Sequence, residues 1–448
     1  MVEPADRANF HQRVAQQIAA PNQLGFAVLL IGLDDLGAVN DSLGHDAAED
    51  LVEAVAVSLL ATVSAADTLM RLPGAQFAVL LADVTTPRDA QQRAECLQKF
   101  LRSPTKCGGM ELTVRVSIGV RHCAPCVDFD VAEVLSDASA AMSTATRNDR
   151  RVAVFEPNMR TRSLRRLQLT EALEHALDRG EISVHYQPYF SFTDGHACGV
   201  EALARWHHPI HGEVGPSEFI GLAESTGQIQ SLGLFVLQQA CRDIAGLRRE
   251  HPQHGDLTMS VNVSARQLVD DRFQHELRAL LRETGLPGHA LMLELTETAL
   301  VEDVHDVAER LADIRRTGVH LAVDDFGTRY ASLSYLQRFP IDTLKVDQTF
   351  VARVHESPYQ HLLTGAIITL AKTLGLRTIA EGVEEDEHAL RLSTLGCDAG
   401  QGFLFARPVP LASLHSALRS GTQRILDRAG RPSQSQRANF CECQKSPV

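Results

Sequence analysis

The stretch AVDDFGT (Ala322–Thr328) sets two aspartates side by side at the end of an apolar run, just before a glycine. A carboxylate buried without a partner costs several kcal/mol, so a strand that ends this way should face water or a ligand. The same arrangement recurs on both sides of it. Glu201 sits in GVEALARW, Asn262 in SVNVSARQL and Glu294 in LELTET; further on, Lys345 sits in TLKVDQ, Glu381 in TIAEGVE and Gln401 in AGQGFLFARP. For any one of these residues a salt bridge or strand cap is explanation enough. Seven strands repeating the pattern call for a common cause.

The spacing of the strands supplies it. They read at Ile182–Phe190, Ala197–Trp206, Leu257–Val263, Leu291–Leu295, His320–Asp324, Thr343–Val346, Thr378–Glu381 and Gln401–Phe405, with helices such as Leu232–Glu250, Val307–Thr317 and Tyr359–Leu374 between them. Eight strands alternating with helices over about 240 residues predict a barrel, in which the strand ends converge on one rim. Carboxylates gathered there repel one another unless cations sit between them. Hard oxygen donors select Mg²⁺ or Mn²⁺ over zinc. Two adjacent aspartates suit two metals, one Asp bridging, an arrangement that activates water for in-line attack on a phosphodiester.

Outward from the barrel, residues 8–20 read as an amphipathic helix and Phe26–Leu33 as a buried strand. Strands at Gln76–Leu81, Thr113–Val120 and Arg151–Phe155 and a helix at Ala132–Arg147 complete a compact α/β domain of about 155 residues. Helix Thr161–Arg179 then begins the next unit. The expected division is 1–158, 159–421 and a polar, aperiodic tail at 422–448 that reads as disordered.

The chain has 448 residues and a net charge of −13, which argues against DNA or an anionic membrane surface as a partner. No apolar run spans a membrane and no signal-peptide pattern opens the chain, so the cytoplasm is expected. Nine scattered cysteines fit reduced thiols. Cys123-Ala-Pro-Cys126 is a bare pair without a second at zinc-finger spacing, and Cys441-Glu442-Cys443 reads as incidental.

With these residues in view, the segment from about Leu167 to Leu418 resembles the EAL family of cyclic di-GMP phosphodiesterases. Further matching pieces are YQP (Tyr186–Pro188), PSEFI (Pro216–Ile220), LKVD (Leu344–Asp347) and QGFLFARP (Gln401–Pro408). The resemblance implies a modified (β/α)₈ TIM barrel with one strand antiparallel. It implies that Glu201, Asn262, Glu294 and Asp324 hold one metal and that Asp324 and Asp325 serve the second. Lys345 would orient or help deprotonate the attacking water, with Glu381 and Gln401 holding water and the rest of the site. Gln187, Leu203, Arg205 and Gln401 would contact the dinucleotide, and Glu297 would steady the loop after Asp325. The product would be linear 5′-pGpG, the metals Mg²⁺ or Mn²⁺ with Ca²⁺ inhibitory, and the assembly a homodimer through this domain. One departure falls in that loop, where DFGTRYASL carries Arg329 for a usual glycine and Ala331 for a serine; it bears on rate and regulation. Gly221, where proline is usual, is a minor change.

Residues from about Arg7 to Pro157 resemble a GGDEF domain, the diguanylate cyclase fold of the nucleotidyl-cyclase type. VNDSLGH (Val39–His45) matches well, with Asn40 placed to contact guanine. Elsewhere the site is dismantled. Gly32 replaces the first aspartate of the usual DLD, and RLPGAQF (Arg71–Phe77) puts Ala75 and Gln76 where the signature carries two acids. Glu49 stands for a usual aspartate, and the inhibitory RxxD motif keeps Asp67 but has Ser64 for its arginine. A domain without those metal ligands is expected not to synthesise cyclic di-GMP, leaving dimerisation and docking, or a weak GTP site. The expected function is therefore metal-dependent hydrolysis of cyclic di-GMP; the rival is a catalytically silent receptor for the same ligand.

Overall fold

A computed structural model describes residues 7–19, 25–34, 36–107, 110–125, 129–147, 151–297, 304–327 and 338–429. Cys126, Arg329, Ala331, Cys441 and Cys443 lie outside these residues. The chain forms two compact units, Met1–Gln168 and Leu169–Val448. Helix Asn158–Ala176 runs across that division.

The first unit holds strands β1 (Phe26–Leu33), β2 (Thr68–Leu72), β3 (Gln76–Leu81), β4 (Thr105–Cys107), β5 (Met110–Leu112), β6 (Val116–Cys123) and β7 (Val152–Val154). Five of them form a sheet in the order β2-β3-β1-β6-β7, and β4 pairs with β5. The apolar run of β1 has no polar face because both of its faces are covered. Ala27, Leu29 and Ile31 pack with Leu51, Val55 and Leu97 from two helices on one side; Val28 and Leu30 pack with Phe10, Val14, Val134 and Ala138 on the other. The β2–β3 hairpin turns at Pro73-Gly74, where φ of +79° at Gly74 demands glycine. The strand expected at Thr113–Val120 lies a few residues later, as β6.

The second unit holds β8 (Ile182–Ser191), β9 (Ala197–His208), β10 (Gly212–Val214), β11 (Thr258–Val263), β12 (Leu291–Thr296), β13 (His320–Phe326), β14 (Thr343–Val346), β15 (Arg377–Ala380), β16 (Ala399–Gln401) and β17 (Val409–Pro410). Strands β9 and β11 to β16 pair in parallel, each with the next. Strand β8 closes the barrel by pairing antiparallel with both β9 and β16. This is an eight-stranded closed barrel with one reversed strand. Its Val-, Ile- and Leu-rich strands are covered outside by the surrounding helices, while Tyr189, Met292, Ala322, Ile379 and Ala399 pack against one another in a separate cluster.

Two expectations are corrected. The last barrel strand is Ala399–Gln401, not Gln401–Phe405. The FLF run reads as a strand, but Phe405 and Ala406 hydrogen-bond back to Gly402, a turn that buries Phe405 with its ring 5.6 Å from that of Phe190. The tail does not begin at residue 422 either, because helix Leu411–Ala429 continues through it. Its polar residues mask a helix seated by Leu414 and Leu418. Among the described residues, no helix is long and apolar enough to cross a membrane.

Candidate active site

Strand register gathers the polar residues at the C-terminal rim. Gln187 lies opposite Glu201 across the β8–β9 pair, and Asn262 lies opposite Glu294 across β11–β12. Asn262 Nδ2 donates to Glu201 Oε1 at 2.7 Å, while Gln401 Nε2 donates to Glu201 Oε2 at 2.6 Å and to Gln187 Oε1 at 3.1 Å. Gln187 in turn donates to the Ala406 carbonyl. The two glutamines are buried beside Glu201 and fix its orientation.

Lys345 is the hub. It projects from β14 and is buried, with Nζ 2.5 Å from Glu381, 2.7 Å from Glu294, 3.4 Å from Asp324 and 3.5 Å from Glu201. Burial alone lowers a lysine's pKa, but four surrounding carboxylates hold this one well above its usual value. The carboxylates respond unequally. Burial raises Glu201, yet the Lys345 charge and hydrogen bonds from Gln401 and Asn262 bring it below its ordinary value. Burial leaves Glu294 well above the usual range, with Glu201 and Asp324 adding to the effect against Lys345. Burial also pushes Glu381 up to about 8 despite Lys345, and pushes Asp325 up to about 6, helped by Asp324 and Asp347.

Successive side chains of a strand point to opposite faces, so two adjacent aspartates cannot both face a site from regular β structure. Here the β13–β14 register shifts between Val323 and Phe326, and Asp325 takes a left-handed φ of +53°. The bulge swings both side chains toward the rim. Oxygens of Asp324, Asp325 and Glu381 lie within 4.8 Å of one another. Glu294 Oε1 is buried with no hydrogen-bond partner. One lysine facing this many carboxylates, with an orphaned carboxylate oxygen among them, fits a centre built for divalent cations.

Beside this centre opens a cleft of about 660 Å³. Leu203, Arg205, Asn262, Asp324 and Asp325 line it, and so do Arg266 and Thr296, whereas Gln187 and Gln401 do not. Glu297 is buried and accepts from the Gly327 backbone N–H at 3.2 Å, two residues after Asp325. Asp347 carried no assigned role in the sequence, yet it faces Asp325 and caps the helix Gln348–Val351. Its signal was its position two residues after Lys345, just past the end of the strand.

The first unit presents a different picture. Asp34, the acid left beside Gly32, accepts from Arg151 Nη1 at 2.6 Å and from Ser117 Oγ at 2.8 Å. Glu49 pairs with Arg71 at 2.6 Å on the surface, and Asn40 Oδ1 meets His45 Nδ1 at 2.9 Å. Asp67 accepts the backbone N–H groups of Ser64 and Ala82, a turn-holding role. Ala75 packs against the core, and Gln76 opens β3 exposed to solvent.

Residues 170–408, more than half of the chain, match the family model described as EAL domain. The chain belongs to the EAL family. Ahead of the EAL domain, residues 5–151 match the model described as diguanylate cyclase, GGDEF domain. Over 397 residues the chain is 36% identical to the protein named cyclic di-GMP phosphodiesterase NbdA of Pseudomonas aeruginosa, covering 88% of this chain and 50% of that protein. It is 34% identical to the cyclic di-GMP phosphodiesterase PdeR of Escherichia coli over 390 residues, covering 87% of this chain and 58% of that one. The chain thus spans about half the length of the curated relatives it matches. A solved structure titled PaMucR phosphodiesterase, c-di-GMP complex, superposes on 55% of this chain and 99% of its own with a TM-score of 0.53 and 38% identity.

Proposed function

We propose that the EAL barrel hydrolyses cyclic di-GMP to linear 5′-pGpG with Mg²⁺ or Mn²⁺, and that the GGDEF domain is catalytically inactive. The observation that carries this reading is the convergence of Glu201, Glu294, Asp324, Asp325 and Glu381 around Lys345, beside a cleft lined by Arg205. Bound divalent ions supply Lewis-acid activation of water and neutralise the phosphodiester charge. Glu201, Asn262, Glu294, Asp324 and Asp325 would hold them. Arg205 grips a phosphate oxygen, the recognition its guanidinium suits. Gln401 and Gln187 keep Glu201 aimed. Burial raises the pKa of Glu381 to about 8 against the opposing charge of Lys345, so near neutral pH this carboxyl is largely protonated, and the adjacent Lys345 favours the ionised form in which it can act as a base.

The reading of the GGDEF domain rests on its lost acids and on Asp34 being held by Arg151 and Ser117. Dimerisation through the barrel is supported by the exposed apolar side chains of Tyr359 and Leu362, one turn apart on helix Pro358–Thr373. Purified protein with Mn²⁺ and cyclic di-GMP should yield pGpG, and Glu201→Ala should abolish the product. With GTP and Mn²⁺ the same protein should yield no cyclic di-GMP, and Ca²⁺ in place of Mn²⁺ should stop hydrolysis. Tight, metal-independent binding of cyclic di-GMP without turnover would replace the enzyme reading with that of a silent receptor.

A further inference from the structure

Apart from the carboxylate centre, a second cluster of metal-ligating side chains stands on the segments that follow β14 and β15. His355 follows the helix Gln348–Val351, Glu385 is the N-cap of helix Asp386–Leu395, and His388 lies in that helix's first turn. One donor atom from each of the three falls within 4.8 Å of the others. His355 Nε2 is 3.6 Å from Glu385 Oε2 and 3.8 Å from Glu356 Oε1, and the two imidazole rings are 5.0 Å apart.

The hydrogen bonding at this cluster is incomplete. His388 is only 4% exposed, yet its Nε2 has no hydrogen-bond partner, and neither does the buried Nδ1 of His355. The His388 ring accepts a hydrogen bond at Nδ1 from the Glu384 backbone N–H at 3.4 Å, too long to fix the ring's tautomer. A buried polar atom left unpaired is costly, so His388 Nε2, unpaired beside His355 and Glu385, points to a missing partner. Two imidazoles and one carboxylate suit a borderline cation such as zinc. An all-oxygen centre such as that at Asp324 suits a hard one. Tetrahedral zinc holds its ligand atoms about 3.4 Å apart, within reach of a small inward rotation here.

We propose that His355, Glu385 and His388 form a second metal site, selective for Zn²⁺ over Mg²⁺, with water or Glu356 in the fourth position. Its two arms come from different strands. His355 lies on the segment that follows Lys345 and β14, whereas Glu385 and His388 lie on the segment that follows Glu381 and β15. Zinc here clamps together the two segments that carry the hub lysine and its nearest carboxylate out of the barrel.

The test is calorimetric titration of the full chain with Zn²⁺ in saturating Mg²⁺, with Co²⁺ absorption as a second readout. The expected result is one equivalent of Zn²⁺ that Mg²⁺ does not displace, tetrahedral Co²⁺ bands, and a Zn²⁺-dependent rise in melting temperature. All three should vanish in His355→Ala and in His388→Gln. Glu385→Gln, at an exposed position, weakens the same step without touching the core and so keeps the test decisive if the His388 variant fails to fold. Zn²⁺ titrations of wild type and His355→Ala that superimpose would overturn the proposal. So would a Zn²⁺ step in wild type that Mg²⁺ competes away, since that places the ion at the carboxylates.

Discussion

Lys345 Nζ lies 2.7 Å from Glu294 Oε2, and both side chains are 1% exposed. A buried pair of this kind adds little net stability, because removing two charges from water costs about as much as their attraction returns. Its importance lies in what happens when one partner goes.

Lys345→Met should therefore destabilise the metal-free protein by about 3–5 kcal/mol, since among the described residues Lys345 is the cation paired with Glu294, Glu201, Asp324 and Glu381. Divalent cation should recover part of that loss while turnover stays absent. Melting curves in EDTA and in Mn²⁺ check this, and an unchanged melting temperature in EDTA would contradict it.

Gln401→Ala removes the donor that aims Glu201 Oε2 from the buried side of the rim. Outer-shell losses of this type cost about 10- to 100-fold in activity or metal affinity. The drop is expected in kcat, with KM for cyclic di-GMP little changed, because the amide lies beneath Glu201 and not in the cleft. A rise in KM at constant kcat would instead make Gln401 a substrate contact.

The raised carboxyls give stability a pH dependence. Asp325 and Glu381 titrate near 6 and 8 in the folded chain, above their ordinary values of 3.8 and 4.5. The native state binds the extra protons, so their contribution to stability is complete below those ordinary values and is lost as pH rises through about 6 and then 8. Divalent ions favour the ionised forms. The melting-temperature gain from Mn²⁺ should therefore grow between pH ~5.5 and ~8.5. A gain that is flat with pH would show that metal binding releases a proton from neither carboxyl.

Gly402 lies where a Cβ would sit 2.0 Å from the Val383 carbonyl oxygen, within the loop that follows Glu381. Gly402→Ala must push that loop away, at a cost of about 1–3 kcal/mol and with a matching loss of activity. Gly246, inside helix Ile229–Glu250, has nothing within 4 Å of its Cβ position. Gly246→Ala should add about 0.5–1 kcal/mol from helix propensity alone. Chemical denaturation of the two variants side by side measures both effects.

Much of the barrel was legible because its strands are apolar and each carries a polar residue near its end, a pattern that survives without tertiary information. The site's members were legible for the same reason. What joins them was not. Asp324 and Asp325 are adjacent in sequence, but only a register shift lets both face the rim. Asp347 reads as an ordinary N-cap until Asp325 is set beside it. Arg151 and Asp34 stand far apart along the chain, so nothing local announces their pairing. The FLF run after Gln401 reads as a strand on hydrophobicity, whereas the hydrogen bonds back to Gly402 decide for a turn. The cluster of His355, Glu385 and His388 likewise draws on a turn and a helix start with no shared motif.

The left-handed Asp325 lets β13 present both acids, and it sets durability against chemistry within one strand. An ordinary residue held at that φ costs about 1–2 kcal/mol, less for aspartate, and a residue of extended preference would relieve it. Selection for heat tolerance alone would favour straightening β13, turning one of the two acids away from the rim. Selection for turnover would keep the strand bent, so thermostable variants that retain activity should carry their gains elsewhere in the barrel.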